Sequence, residues 1–282
     1  MVHGPADVPL ADQARLALPD GFGFIPQAEA ANVMKSMGNT TGERFLGLIV
    51  PLAQAQRAQA QRAQAQAQAP ALAQAQAQAR NWLVSVEFDK AGYIKDDDAR
   101  KWDAKALLQS LKEGTAAGND RRAEQGIPAI EVTRWVEPPA YDSASHRLVW
   151  SAEARLRDGA DPDPTINYNT YVLGREGYIS LDLITTVSAV DTDKSAALQL
   201  LAAVQYNPDK GYGDFKSSTD KVAAYGLAAL VAGVAAKKLG LIAVFGAFLV
   251  KFAKVFAIAG LAGGGGLWRW LKARAGRSGP SP

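Results

Sequence analysis

After Lys221 the chain runs to its last residue without a single acid. Residues 222–262 are almost wholly apolar, interrupted by Lys237, Lys238, Lys251 and Lys254. A segment of this character must leave water, either into a bilayer or into a core that offers its lysines no acidic partner from the same stretch. Residues 222–236 are too few to cross a hydrocarbon layer of about 30 Å, which takes roughly 20 residues. Residues 239–262 suffice, at about 36 Å of helix. A lysine at mid-membrane costs about 2.5–3.5 kcal/mol. Each Leu, Ile, Phe or Val returns only about 0.3–0.6 kcal/mol. The span is therefore marginal alone.

Two features favour it. Lys251 and Lys254 are three residues apart, so they share one helix face and can snorkel. Gly226, Gly233 and Gly240 recur at a constant spacing and form a smooth strip for close helix packing. The expectation is a membrane-associated helical tail over 217–267, as a hairpin or as an oligomer of spans. Its lipid-facing residues are Leu239, Leu241, Ile242, Val244, Phe245, Phe248, Leu249, Val250, Phe252, Val255, Phe256, Ile258 and Leu261. Trp268, Arg269, Trp270 and Lys272 follow as an interface anchor and open a basic tail over 268–282. Aromatic residues and then bases at a span's edge place that end in the cytoplasm. One span then puts the body outside the cytoplasm, and a hairpin puts it inside. The opening "MVHGPADVPLADQ" has no basic n-region and no apolar h-region of a secretory leader.

The tail also explains the charge. The chain of 282 residues has 31 bases and 28 acids. Eight of the bases follow Lys221, which leaves 23 against all 28 acids before it, a balance of −5. The body is not a basic surface, and no nucleic-acid partner is expected. There is no Cys, so disulfides and thiolate chemistry are excluded. His3 and His146 are the two histidines, and a multi-histidine metal site would need both.

The body is read as an α+β domain made of residues 1–52 and 81–216. "LPDGFGFIP" (18–26) reads as a short strand between turn residues and "RFLGLIV" as another, with a helix over "QAEAANVMKSMG" between them, closed by Gly38. Residues 53–80 alternate Ala and Gln. Both residue types have poor strand propensity, and Leu72 is the only large apolar side chain there. This is an insert, read as an expanded loop. "NWLVSVEFD" places Trp82, Val84, Val86 and Phe88 on one strand face. Asp103 caps a long helix with Leu107, Leu108 and Leu111 on its apolar side and Gly126 past its end. Four strands follow: "IEVTRWV", "HRLVWSAEARLR", and the pair "TINYNTYVL" and "YISLDLITTV" joined by "GREG". In the second, Leu148, Trp150, Ala152, Ala154 and Leu156 alternate with Arg147, Glu153, Arg155 and Arg157. "DTDKSAALQLLAAVQ" closes the domain as a helix. Alternation of this kind suits an antiparallel sheet with helices on one face.

No catalytic signature occurs: no HExxH, no phosphate loop, no dinucleotide fingerprint and no G-x-S-x-G elbow. Asp96, Asp97, Asp98 and Asp103 are the low-ranking metal candidates, because hard cations take several oxygen ligands. Their spacing is not that of an EF-hand loop, and an acidic turn leading into a helix accounts for them. His146 stands near Asp142, Ser143 and Ser145 at what reads as a turn. Arg175, in the tight "GREG" turn, is a minor anion-binding candidate. Gly263–Gly266 lack the following Lys-Ser/Thr of a phosphate loop.

The blocks "GYIKDDDARKWDAKALLQSLKEGT" (92–115), "RWVEPPAYDSASHRLVW" (134–150), "NYNTYVLGREGYISLDL" (167–183) and "STDKVAAYGLAALVAGVAAKKLGLIAV" (218–244) resemble those of a bacterial family of membrane-anchored proteins, domain-of-unknown-function family 2167. The order of elements is also similar to that of PsbP-like α+β domains. The family resemblance implies a leader, an extracytoplasmic body and a C-terminal anchor in the cell membrane. It implies no activity, and no cofactor is expected. The leading expectation is a non-enzymatic, membrane-anchored binding or scaffolding protein with an unidentified protein partner, self-associating through its glycine strip. The alternative is a metal-dependent enzyme built on the acidic cluster.

Overall fold

The computed structural model describes residues 1–36, 39, 41–52, 82–124, 126, 128–157, 159 and 163–232. In chain order these form β1 (Val2–His3), β2 (Ala6–Leu10), β3 (Ala14–Leu18), β4 (Phe22–Pro26), α1 (Gln27–Ser36), β5 (Phe45–Pro51) and β6 (Leu83–Asp89). A 3-10 turn over Asp97–Arg100 then leads into α2 (Ala104–Glu124), β7 (Ile130–Asp142), β8 (Arg147–Leu156), β9 (Thr165–Leu173) and β10 (Tyr178–Thr186). The described chain closes with α3 (Val190–Ala202), β11 (Val204–Tyr206) and α4 (Leu227–Ala232).

Eight strands make one antiparallel sheet in the order β1-β4-β5-β6-β10-β9-β8-β7. A second, three-stranded sheet has the order β11-β3-β2. The α+β class is as the sequence predicts. The helix of residues 104–124 starts where expected, because the Asp103 carboxylate accepts the Lys105 N–H at 2.8 Å. Gly126 beyond its end has φ +66°.

The arrangement of layers corrects one expectation. Helices cover both faces of the large sheet. On one face Val84, Val86, Tyr168, Leu181 and Leu183 pack against α3 and the small sheet. On the other, Leu148, Trp150, Tyr171 and Leu173 meet Leu107 and Leu111 of α2 and Leu227, Leu230 and Val231 of α4. Beside them, Ala30 and Met34 of α1 cover Phe45, Leu48 and Ile184. The sequence conceals this second layer because its strand positions are polar. Ser85, Asp182, Asn169 and Asn167 stand on neighbouring strands of that face and are all nearly fully buried. Glu153, read as a solvent-side residue of β8, is also buried, and it pairs with Arg134 and Arg155. A helical layer can lie over polar strand positions, and Asn169 there donates to the Trp150 and Asn167 carbonyls.

Residues 217–232 pack against the body. Val222 forms a parallel bridge with Tyr93, and the Ala223 N–H donates to the Tyr93 carbonyl at 2.8 Å. Among the described residues no helix is long and apolar enough to cross a membrane. The Ala/Gln insert, Gly38, Gly233, Gly240, the lipid-facing set from Leu239 to Leu261 and the anchor from Trp268 to Lys272 lie outside the described residues.

Candidate binding cleft

Long β7 reaches past two prolines, Pro138 and Pro139, where its register against β8 slips between Glu137 and Ala140. A proline has no N–H to give to the ladder, so an irregular stretch at the sheet edge is where such a pair fits. β7 is the edge strand. The slip carries Tyr141 to the rim of the β7–β8 hairpin. The hairpin turn is held by Asp142, whose carboxylate accepts the Ala144 N–H at 2.9 Å and the Ser145 hydroxyl. His146 closes it in the left-handed region, with φ +53°.

The Tyr141 hydroxyl donates to Asp96 Oδ2 at 2.8 Å and lies 3.1 Å from His146 Nδ1. Because its proton goes to the carboxylate, the phenol oxygen accepts from the imidazole. Protonated Nδ1 is then the tautomer that satisfies the chain His146 to Tyr141 to Asp96. Burial, reinforced by the bond to Asp96, pushes the Tyr141 phenol far above its ordinary pKa. A phenol that keeps its proton so firmly is a poor acid or base at neutral pH, because proton transfer works best with a pKa near the working pH. The phenol's part in the arrangement is to hold and orient its two partners.

A run of rings backs this cluster. His146 stacks on Tyr212 at 4.1 Å between centroids, Tyr212 on Tyr93 at 4.4 Å, and Tyr93 on Phe215 at 3.9 Å. The Tyr212 hydroxyl donates to the Ile94 carbonyl at 2.8 Å, and its pKa is raised, chiefly by burial. In front of the cluster lies a cleft of about 210 Å³, bounded by Asp96, Arg100, Trp102, Pro139, Tyr141 and Ser143.

The four aspartates of the acidic cluster take separate positions. Asp96 serves the cleft. Asp97 is exposed. Asp98 accepts the Leu227 and Ala228 N–H groups at 3.1 and 3.0 Å, so it caps α4 from a distant part of the chain. Asp103 caps α2. Among the described residues no three or more His, Asp or Glu are grouped so as to hold a metal ion. Gly226, assigned to helix packing, lies against Asp98, where a Cβ would collide with the carboxylate. Arg175, the anion candidate, is engaged within the protein. Its guanidinium meets both oxygens of Asp220 at 2.7 and 2.8 Å, which holds the Asp220 carboxyl well below the usual range.

The sequence marks His146 and Asp96 separately but does not join them. It pairs His146 with Asp142 and Ser145, which are used by the turn itself. Tyr93, Tyr141, Tyr212 and Phe215 are missed. Their one local signal is the Pro-Pro pair that interrupts a strand two residues before Tyr141.

No curated protein matches the chain. Among solved structures, cyanobacterial PsbP from Synechocystis sp. PCC 6803 is similar at 12% identity and a TM-score of 0.38, covering 70% of this chain and 88% of that one. A protein of unknown function from Pseudomonas aeruginosa is similar at 11% identity and a TM-score of 0.25, covering 72% and 97%. The family profile described as "Protein of unknown function (DUF2167)" matches residues 2–71 and 62–262, and the blocks that build the cleft and the root of α4 fall within that match, so the chain belongs to this family.

Proposed function

We propose that this protein is a membrane-anchored binding or scaffolding protein whose ligand or partner meets the Asp96–Tyr141–His146 cleft, with no catalytic step of its own. The observation that carries this is the shared use of one short segment. Asp96 serves the cleft, while Asp98, two residues on, caps the helix that leads into the apolar stretch. A ligand site is thus held at a fixed place beside the start of the anchor. The firmly protonated phenol and the absence of a catalytic signature in the sequence favour binding over chemistry.

The apolar residues from Leu239 to Leu261 cross the membrane, and Trp268 to Lys272 mark its cytoplasmic side. With one span the body lies outside the cytoplasm. Gly233 and Gly240 leave a strip on which a second copy's tail packs. Gly159→Cys tests the topology, since Gly159 is exposed and the chain has no other Cys. Labelling of intact cells by a membrane-impermeant maleimide is expected. Labelling only after lysis excludes the single span, and full extraction of the protein from membranes by alkaline carbonate excludes the anchor.

A further inference from the structure

On the strength of the binding role above, we propose that the cleft accepts one neutral sugar ring of a saccharide chain. The cleft carries opposite charges a few residues apart, Asp96 and Arg100, on the same small surface. A cationic ligand meets Arg100 unfavourably, and an anionic one meets Asp96. A neutral ligand rich in hydroxyl groups turns both into hydrogen-bond partners, because Asp96 only accepts and Arg100 only donates. Ser143 adds a hydroxyl that does either.

Asp96 is prepared for this. Its Oδ2 accepts from Tyr141, and among the described residues Oδ1 accepts no side-chain hydrogen bond, so Asp96 still has an acceptor to offer at the cleft wall. Trp102, Pro139 and Tyr141 also line the cleft and give it an apolar part beside a polar surface that makes up the larger share. Rings of this kind present a broad surface with a polar edge, which matches a pyranose, apolar on its C–H face and polar around its rim. Size points the same way. At about 210 Å³ the cleft is smaller than the roughly 300–1,000 Å³ typical of sites that enclose a whole ligand. It takes a single ring, with the rest of the chain running outside. An amino-acid zwitterion also carries both charges. Such a ligand, however, leaves the Trp102 and Pro139 surfaces unused, which a sugar ring would cover.

The test uses the full chain in dodecylphosphocholine micelles, because glycoside detergents would compete. Triacetylchitotriose, maltotriose and cellotriose are titrated while calorimetry and tryptophan fluorescence are followed. Saturable binding of at least one trisaccharide is expected, weakened at least tenfold by Trp102→Ala and by Asp96→Asn. Arg100→Ala changes an exposed side chain and leaves the fold in place, and it too should weaken binding severalfold. Absence of saturable binding in the millimolar range overturns the proposal. So does binding that survives both Trp102→Ala and Arg100→Ala, or binding of glycine and betaine in place of the sugars. A photocrosslinker placed at Ser143 in native membranes separates the two levels. Capture of a protein partner there without sugar binding leaves the binding role standing and removes the sugar, whereas failure of both removes both.

Discussion

Two polar clusters border the segment of residues 92–98, one near Gly92 and one at Asp96, and they differ in what lines the cleft beside each. On one side Arg175 and Asp220 meet through two parallel hydrogen bonds, and Asp220 also accepts the Lys216 N–H at 2.7 Å. That pair borders a cleft of its own, of about 220 Å³, lined by Lys90, Glu176 and Lys221 but by no aromatic side chain. On the other side the Asp96–Tyr141–His146 chain occupies one carboxylate oxygen and one imidazole nitrogen, and stands at the wall of a cleft. An ion pair whose bonds are all made locks a loop. A hydrogen-bonded chain beside a cleft whose lining includes Trp102 and Tyr141 is built to receive something.

The contrast can be broken at its common support. Tyr212→Ala removes the ring between His146 and Tyr93, together with the bond to the Ile94 carbonyl. Deleting a buried aromatic costs about 3–5 kcal/mol. Urea unfolding should show a loss of that order, and the cleft and the root of α4 should loosen together in hydrogen exchange. An independent response of the two would show that the ring stack does not join them.

The closed pair is tested by acid. Asp220 has a depressed folded pKa, so its contribution to stability is fully present above the ordinary carboxylate value of about 4 and is lost as pH falls through the folded value. Asp220→Asn should destabilise the protein at neutral pH and flatten the decline in stability below about pH 4. An unchanged acid limb in thermal melts would mean that other carboxylates govern it.

Asp98→Ala should cost about 1–2 kcal/mol, the size of a lost helix cap. The Leu227 and Ala228 amides should exchange faster while the Tyr141–Asp96 bond persists. Smallest is Tyr141→Phe, which keeps the ring and removes the bonds to Asp96 and from His146; both partners are partly exposed, so water replaces much of what is lost and the cost is about 0.5–1.5 kcal/mol. Its clearer sign is in the 15N spectrum of His146, whose ring should leave a single tautomer for a mixture. A spectrum that does not move would show that Tyr141 does not set the imidazole.

The helix starting at Asp103 and the strand through Val84 and Val86 are legible in the sequence because each is fixed by local rules: a cap, a period and a glycine stop. The hairpin strands β2 and β3 are missed. Their partner β11 lies far along the chain, so their pattern carries no nearby confirmation. The second helical layer is missed because Asn167, Asn169, Ser180 and Asp182 look like solvent-facing residues until the packing of α1, α2 and α4 is known. The cleft is half legible. The Asp cluster and His146 stand out by residue type, whereas Tyr212 is an ordinary aromatic until the fold sets it beside His146.

The small sheet has a consequence for how the protein is made. β3 pairs with β11 as Leu16 faces Val204 and Ala14 faces Tyr206. A ribosome delivers the first hairpin long before its third strand exists. Val8, Leu10, Leu16 and Leu18, all buried in the finished protein, must therefore wait through most of synthesis without their final cover. Contacts of such long sequence separation form late and slowly. The nascent chain thus carries an apolar hairpin well before its cover exists, the kind of exposed surface that chaperones bind and that aggregates when they are scarce.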